Sequence, residues 1–145
     1  AVLPQFKQRN RGAIINIASV LSLHILPIST VYSATKAYVM NFTRGLQQEL
    51  ADTGIVVQLV MPSATATEIW DLSGVPLVQL DQATVMSAED CVDAALAGLD
   101  QGELVTLPSV QDQALWDQFE AARLALFAGS RSGKPASRYG VKARA

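Results

Sequence analysis

Apolar residues in this chain fall into two alternating kinds of segment, short continuous runs and longer stretches with helical spacing. The runs are mostly apolar and rich in β-branched residues, which is the pattern of strands buried on both faces of a parallel sheet. The sequence therefore predicts three short strands, over residues 13–18, 55–61 and 103–107.

Between and after these strands the apolar side chains recur every three or four residues, which predicts helices over residues 32–51, 87–101 and 109–128. Ser87 can cap the second helix, because its hydroxyl can accept from a free backbone N–H of the first turn. We expect the apolar side chains at helical spacing to face the core. In the three helices in turn they are Val39, Phe42, Leu46 and Leu50; Val92, Leu96 and Leu99; and Leu115, Phe119, Ala122 and Leu126.

A strand, a helix and a second strand in this order form a parallel crossover unit, which the twist of the sheet makes right-handed. The pattern thus predicts an α/β protein with a parallel sheet. Residues 62–86 contain Pro62, Gly74 and Pro76 and should form a long irregular connection with short helical pieces at most. Connections of that length in compact domains are usually functional or disordered.

Composition narrows the class of protein. The chain has 145 residues, of which 50% are hydrophobic and 17% charged, as in one globular domain. The single cysteine, Cys91, cannot form an internal disulfide, and no apolar run reaches the ~18 residues that would span a bilayer. We therefore expect a cytoplasmic protein with no membrane partner. The first residues contain no Met and no secretory signal, so we expect a fragment.

Charge is spread unevenly along the chain. Residues 129–145 hold five basic side chains and no acidic one, so a net charge of −2 for the whole chain leaves −7 for residues 1–128. We predict that residues 1–128 belong to a single domain and that residues 129–145 form a basic, flexible tail, since solvated chain ends are common. The acidic body argues against a nucleic-acid partner.

Three side chains carry candidate chemistry. Tyr32 and Lys36 lie four residues apart at the start of the first predicted helix, so they share one face, one turn from each other. A neighbouring ammonium favours the phenolate form of a tyrosine and makes it a better acid or base. Ser19 follows the first strand, and loops at the carboxyl ends of parallel strands build active sites. Taken alone, a Tyr–Lys pair could also be a surface helix pair.

The order of these residues resembles the short-chain dehydrogenase/reductase family. Asn16-Ile17-Ala18-Ser19 is followed after thirteen positions by Tyr32-Ser33-Ala34-Thr35-Lys36, similar to that family's strand-end Ser and Tyr-x-x-x-Lys. Pro-Ser-Ala-Thr-Ala-Thr, at residues 62–67, is similar to its Pro-Gly-x-x-x-Thr segment. The resemblance implies a Rossmann-like, doubly wound parallel sheet, of which the last three strands and their helices are present.

The resemblance also implies an activity, the transfer of hydride between a nicotinamide cofactor and a carbonyl or alcohol substrate. Tyr32 would be the general acid/base, Lys36 would bind the nicotinamide ribose and lower the Tyr pKa, and Ser19 would hydrogen-bond the substrate oxygen. The cofactor, NAD(P)(H), would contact Tyr32, Lys36, Pro62, Ser63, Thr65 and Thr67. Of its two forms we favour NADP, although no residue of the sequence distinguishes them.

The chain departs from the family's pattern in two ways. Ser63 stands where the family usually has Gly, and it would be strained if the backbone there needed a positive φ. The sequence also contains no glycine-rich turn of the kind that seats the pyrophosphate. By resemblance the family's catalytic Asn would precede residue 1. We therefore expect the 145 residues alone to be inactive.

Substrate contacts are expected from Ser19, Val20, Ile69 and Trp70, the last two in the family's variable lid, although Trp70 could equally be packing under a loop. His24, the single histidine, has no partners at ligand spacing, so no metal site is predicted. Relatives commonly pair through the helix that carries Tyr-x-x-x-Lys, which implies a homo-oligomer. Two alternatives stay open: an epimerase or dehydratase with the same geometry, and a non-catalytic module that binds nucleotide or a partner.

Overall fold

The computed structural model describes residues 2–141 of the chain. These residues form two compact units, which divide between Ser109 and Val110. Whether residues 1–128 belong to one domain stays a prediction. So does the flexibility of the basic tail, of which Lys142 and Arg144 lie outside the described residues.

The first unit is built on a parallel sheet of three strands in the order β1-β2-β3: β1 Gly12–Ile17, β2 Ile55–Val60 and β3 Val105–Thr106. β1 pairs with β2 along its whole length, from Gly12 beside Ile55 to Ile17 beside Val60. The predicted parallel α/β sheet is confirmed. The third strand is shorter than expected, because only Leu59 and Val60 pair with it.

Within the first unit, helices connect the strands and lie on both faces of the sheet. The first unit holds α1 Leu3–Arg9, α2 Thr30–Glu49, α3 Ile69–Ser73 and α4 Ala88–Asp100, and the second holds α5 Ala114–Ser130. Ser87 caps α4 as predicted, because its hydroxyl accepts from the Asp90 N–H at 3.0 Å. Within residues 2–141, none of the helices combines the length and the apolarity that crossing a membrane requires.

The core lies between β2 and the carboxyl-terminal half of α2. Leu46, Leu50, Ile55 and Val57 form one buried cluster, against which Leu3, Phe6 and Ile14 pack. On the other face of β2 the fully buried Gln58 donates to the Ala95 carbonyl of α4 at 2.8 Å and to Thr106 Oγ1 at 2.9 Å. α2 and α4 therefore cover opposite faces, as a doubly wound sheet requires.

The prediction that β1 is buried on both faces is wrong. Ile14 packs on the core cluster and Asn16 donates to Thr43 of α2, whereas Ile15 and Ile17 are 38% and 52% exposed. The reason is that α4 packs near β3, at the edge of the sheet away from β1. Among the described residues, the β1 face opposite α2 is thus only partly covered.

Several side chains that were predicted to face the core are exposed to solvent. In α2, Phe42 is exposed and stacks on Tyr38 with ring centroids 6.1 Å apart. In α4, Val92 and Leu96 are exposed, and the buried positions are Ala95 and Gly98. The physical reason is close approach: a Cβ on Gly98 would lie 2.5 Å from Thr106 Oγ1, so α4 contacts the sheet through its smallest residues.

The last helix also differs from its prediction. It begins at Ala114 rather than at Ser109. The Ser109 hydroxyl instead hydrogen-bonds the hydroxyl of Ser63, in the loop after β2. The residues expected to form its inward stripe are all exposed in the described structure: Leu115, Phe119, Ala122 and Leu126. Trp116 is buried in their place and stacks on Phe119 with a centroid distance of 5.4 Å.

Candidate functional site

Two cavities open at the carboxyl ends of β1 and β2. The first, of about 330 Å³, lies between these strand ends, α2 and α4. Its lining contains every residue predicted to contact a cofactor: Tyr32, Lys36, Pro62, Ser63, Thr65 and Thr67. The second, of about 470 Å³, lies between the loop after β1 and the connection after β2. Its lining contains every residue predicted to contact a substrate: Ser19, Val20, Ile69 and Trp70.

A common wall separates the two cavities. Its members line both spaces: Ser19, Tyr32, Ser63, Ile69 and Trp70. Molecules bound in the two cavities would therefore both contact these side chains. Ligands of open parallel α/β sheets bind at this end of the strands.

Ser19 is held at the end of β1 by the continuation of the strand pairing. Its neighbours Ala18 and Val20 donate to the carbonyls of Val60 and Pro62 at 2.8 Å and 2.9 Å. The Ser19 hydroxyl accepts from the Leu21 N–H at 3.1 Å and donates to the Pro62 carbonyl at 3.4 Å. A hydroxyl bond of that length is weak, so the proton can turn toward a better acceptor in the cavity.

Tyr32 and Lys36 occupy the first turns of α2, on the face toward both strand ends. The Lys36 ammonium donates to the Ile17 carbonyl at 3.1 Å and lies 5.6 Å from the centroid of the Tyr32 ring. A cation within about 6 Å of a ring centroid is attracted by the ring. Lys36 thus bridges the end of β1 and Tyr32, which is 40% exposed and open to both cavities.

The loop of residues 62–67 forms one side of the first cavity. Met86 pins it, because Ala66 donates to the Met86 carbonyl at 2.8 Å and Met86 donates to the Ala64 carbonyl at 3.0 Å. The Ser63 hydroxyl pairs with that of Ser109 at 2.7 Å. Among the described residues, Asn10 is the only non-glycine with a positive φ. The strain considered for Ser63 is therefore absent.

Trp70 connects the loop to the short helix α3. Its indole N–H donates to the Thr65 carbonyl at 2.7 Å, while its ring forms part of the common wall. The sequence offered lid and packing as alternatives for Trp70. In the structure Trp70 lines the second cavity, and its hydrogen bond to Thr65 also ties α3 to the loop of the first cavity.

Replacing Trp70 with Phe should loosen this connection. A smaller aromatic ring remains, but the Thr65 carbonyl loses a donor worth about 1 kcal/mol, so amide exchange in residues 66–80 should accelerate about fivefold. Hydrogen-exchange mass spectrometry measures this directly. Leu72→Ala is the control, because Leu72 lies on the same helix and is 87% exposed. Equal acceleration in both variants would show that the indole bond does not hold α3.

The charges of the two cavities are opposite. Among the described residues that line the first cavity, Lys36 is the single charged one, whereas Asp81 is the single charged residue of the second. The Asp81 carboxylate accepts from the Ala83 N–H at 3.0 Å, which fixes its side chain. The first cavity therefore suits an anionic or polar ligand better than the second does.

Sequence reasoning missed part of both linings. In the first cavity α4 adds Ala88, Cys91, Val92 and Ala95, and in the second the missed residues include Leu26, Ile28, Val75, Leu80 and Asp81. The length of the irregular segment 62–86 was a usable signal for the last three. His24, the single histidine, does not line either cavity.

These features agree with comparison to known families. The sequence model for short chain dehydrogenases matches residues 1–74, about half of the chain. The chain belongs to the short chain dehydrogenase family, and the family assignment made from the sequence is confirmed.

Particular relatives cover different shares of the chain. A very-long-chain 3-oxoacyl-CoA reductase of Anas platyrhynchos is 44% identical over 72 residues, which are 50% of this chain and 23% of that protein. A short-chain dehydrogenase of Sphingobium yanoikuyae, solved in complex with NADPH, is 42% identical with a TM-score of 0.88, over 95% of this chain and 53% of that one.

A third relative is a bulky-bulky ketone specific alcohol dehydrogenase of Comamonas testosteroni. It is 38% identical with a TM-score of 0.77, over 94% of this chain and 50% of that one. The chain thus spans about half the length of these two solved structures.

Proposed function

We propose that this chain carries the carbonyl-reducing site of an NADP(H)-dependent oxidoreductase. One observation carries the proposal: Ser19, Tyr32 and Lys36 meet at the carboxyl ends of β1 and β2, and Ser19 and Tyr32 stand in the wall between two cavities of opposite charge. One cavity suits the reactive end of a cofactor and the other suits a substrate. Both reactants would then share the same hydroxyl groups.

The first cavity fits the nicotinamide end of such a cofactor. It offers the Lys36 ammonium to ribose hydroxyls, and the Ser63, Thr65 and Thr67 side chains add further polar groups. Its volume of about 330 Å³ is at the lower end for small-molecule sites. The NADPH found in the Sphingobium yanoikuyae relative supports the choice of cofactor. When bound, reduced nicotinamide supplies the hydride.

The chain's own residues would handle the oxygen of the substrate. Reduction of a carbonyl places negative charge on that oxygen, and donors aimed at it stabilise the charge. The Tyr32 hydroxyl would give a proton to the oxygen, and the Ser19 hydroxyl would exchange its weak 3.4 Å bond with Pro62 for one to the same oxygen. Lys36, held by the Ile17 carbonyl, would position its ammonium group beside the Tyr32 ring.

A matched pair of serine variants tests the proposal. The complete gene product should oxidise NADPH with a carbonyl panel, and Ser19→Ala should lower kcat/KM about a hundredfold, the usual effect of removing one such donor. Ser22→Ala is the control, because the Ser22 hydroxyl is buried and has no partner among the described residues. Oxidation that is equally fast in both variants, or absent in the native protein, would contradict the proposal.

Other properties of the whole protein stay predictions. The cytoplasmic location depends on the cysteine usage of the sequence, and the homo-oligomer depends on the family resemblance. We also propose that the 145 residues alone do not turn over substrate, because their sequence contains no glycine-rich pyrophosphate turn. Cofactor oxidation by the purified 145-residue chain would overturn this proposal.

A further inference from the structure

The second cavity is lined mainly by hydrocarbon. The loop after β1 contributes Val20, Leu21, Leu26 and Ile28, and the connection after β2 contributes Ala64, Ile69, Trp70, Val75 and Leu80. The polar groups at the wall it shares with the first cavity are the hydroxyls of Ser19, Tyr32 and Ser63. Away from this wall the polar residues of the lining are fewer than the apolar ones; they are Ser29, Ser73, Asp81 and Thr84. A ligand would therefore place one polar atom at this wall and mainly apolar groups elsewhere.

An anionic ligand would find little compensation in this cavity. None of the described residues that line it is a Lys, Arg or His, and its single charge is the carboxylate of Asp81. A carboxylate that leaves water without a partner carries a large desolvation cost. A like charge nearby adds repulsion. The lining thus selects against acids while it accepts hydrocarbon.

The size of the cavity indicates a bulky ligand. Its volume of about 470 Å³ exceeds that of the first cavity and lies within the range of sites that hold drug-sized molecules. A two- or three-carbon ketone would leave most of this apolar surface in contact with water. Burial of apolar area is what stabilises such a complex, so affinity should rise with the size of the apolar groups.

We propose that the second cavity takes a neutral ketone, or the corresponding secondary alcohol, with a bulky apolar substituent, and that Asp81 excludes anionic analogues. This inference rests on the proposed function for the identity of the ketone group. It adds the class of substrate and assigns a specificity role to Asp81, which is not part of the catalytic set.

Binding of two probes of similar shape tests the proposal without any need for turnover. Butyrophenone is neutral, and 4-oxo-4-phenylbutanoate places a carboxylate on the same aryl ketone skeleton. Trp70 lines the cavity, so its fluorescence should report binding, and Trp70→Phe supplies the blank. In the complete gene product butyrophenone should bind at least about tenfold more tightly than the acid.

Two amide substitutions separate the role of Asp81 from a general effect of charge. Asp81→Asn should narrow the difference between the probes several-fold, while the amide oxygen can still accept from the Ala83 N–H. Asp71→Asn removes the same charge from α3, at a position that lines neither cavity. This variant should leave the difference in affinity between the two probes unchanged. Equal affinities for the two probes, tighter binding of the acid, or no signal from either probe would overturn the inference. Selective binding without turnover would instead overturn the proposed function alone.

Discussion

Replacing Tyr32 with Phe should lower kcat for ketone reduction by the complete gene product about a thousandfold. The substitution keeps the ring, and with it the contact with the Lys36 ammonium 5.6 Å away. It removes the one hydroxyl of α2 that stands in the wall between both cavities. Proton transfer by a positioned side chain contributes about 10²–10⁴-fold to a reaction rate, and this is the contribution that the variant loses.

Tyr38→Phe is the matched control for this result. Tyr38 lies on the same helix, is 70% exposed, stacks on Phe42 and lines neither cavity. Its variant should keep the native rate. Single-turnover kinetics with saturating NADPH separates the chemical step from cofactor binding, which Tyr32→Phe should change much less. A Tyr32→Phe protein that reduces ketone at the native rate would show that another group donates the proton.

Replacing Gly98 with Ala should destabilise the complete gene product by about 2 kcal/mol, the middle of the range for overpacked cores. A Cβ there would lie 2.5 Å from Thr106 Oγ1 and 2.6 Å from Glu103 Oε2. Thr106 is buried and hydrogen-bonds both Gln58 and Glu103, so it can move only by breaking that network. α4 would have to shift away from β3.

Gly45→Ala is the opposite case and serves as the control. Gly45 is also helical, but a Cβ there would meet no atom within 4 Å. Alanine should therefore stabilise α2 by about 0.5–1 kcal/mol through the smaller entropy of the unfolded chain. Urea unfolding of both variants measures the two free energies of unfolding. Shifts of the same sign would contradict the close packing of α4 on the sheet.

The strands and the placement of the candidate catalytic residues at their ends could be predicted because their signals are local. A β-branched run such as residues 12–17 predicts a strand whatever lies around it, although not whether both of its faces are buried. Tyr32 and Lys36 share a helix face because of their spacing alone, and Ser19 follows from its position at a strand end. The grouping of Pro62 to Thr67 with them follows from the parallel order of β1 and β2.

The faces of the helices could not be predicted in the same way, because burial depends on what each helix packs against. Leu96 looks like a core residue in the sequence, yet Ala95 is buried, since α4 approaches the sheet too closely for larger side chains. The bond from Trp70 to Thr65 depends on the path of an irregular loop. Asp81 lines a cavity for the same reason, and no periodicity marks such residues.

Transfer of deuterium from labelled NADPH tests the central claim most directly. The complete gene product is incubated with a bulky aryl ketone and with NADPH that carries deuterium at one of the two positions of nicotinamide C4, each in turn. We expect one of the two labelled forms to deliver deuterium to the carbinol carbon, and Tyr32→Phe to slow the transfer about a thousandfold. Product without deuterium from either form would indicate an epimerase or dehydratase. Cofactor binding without any product would indicate a non-catalytic module, and either result would contradict the account.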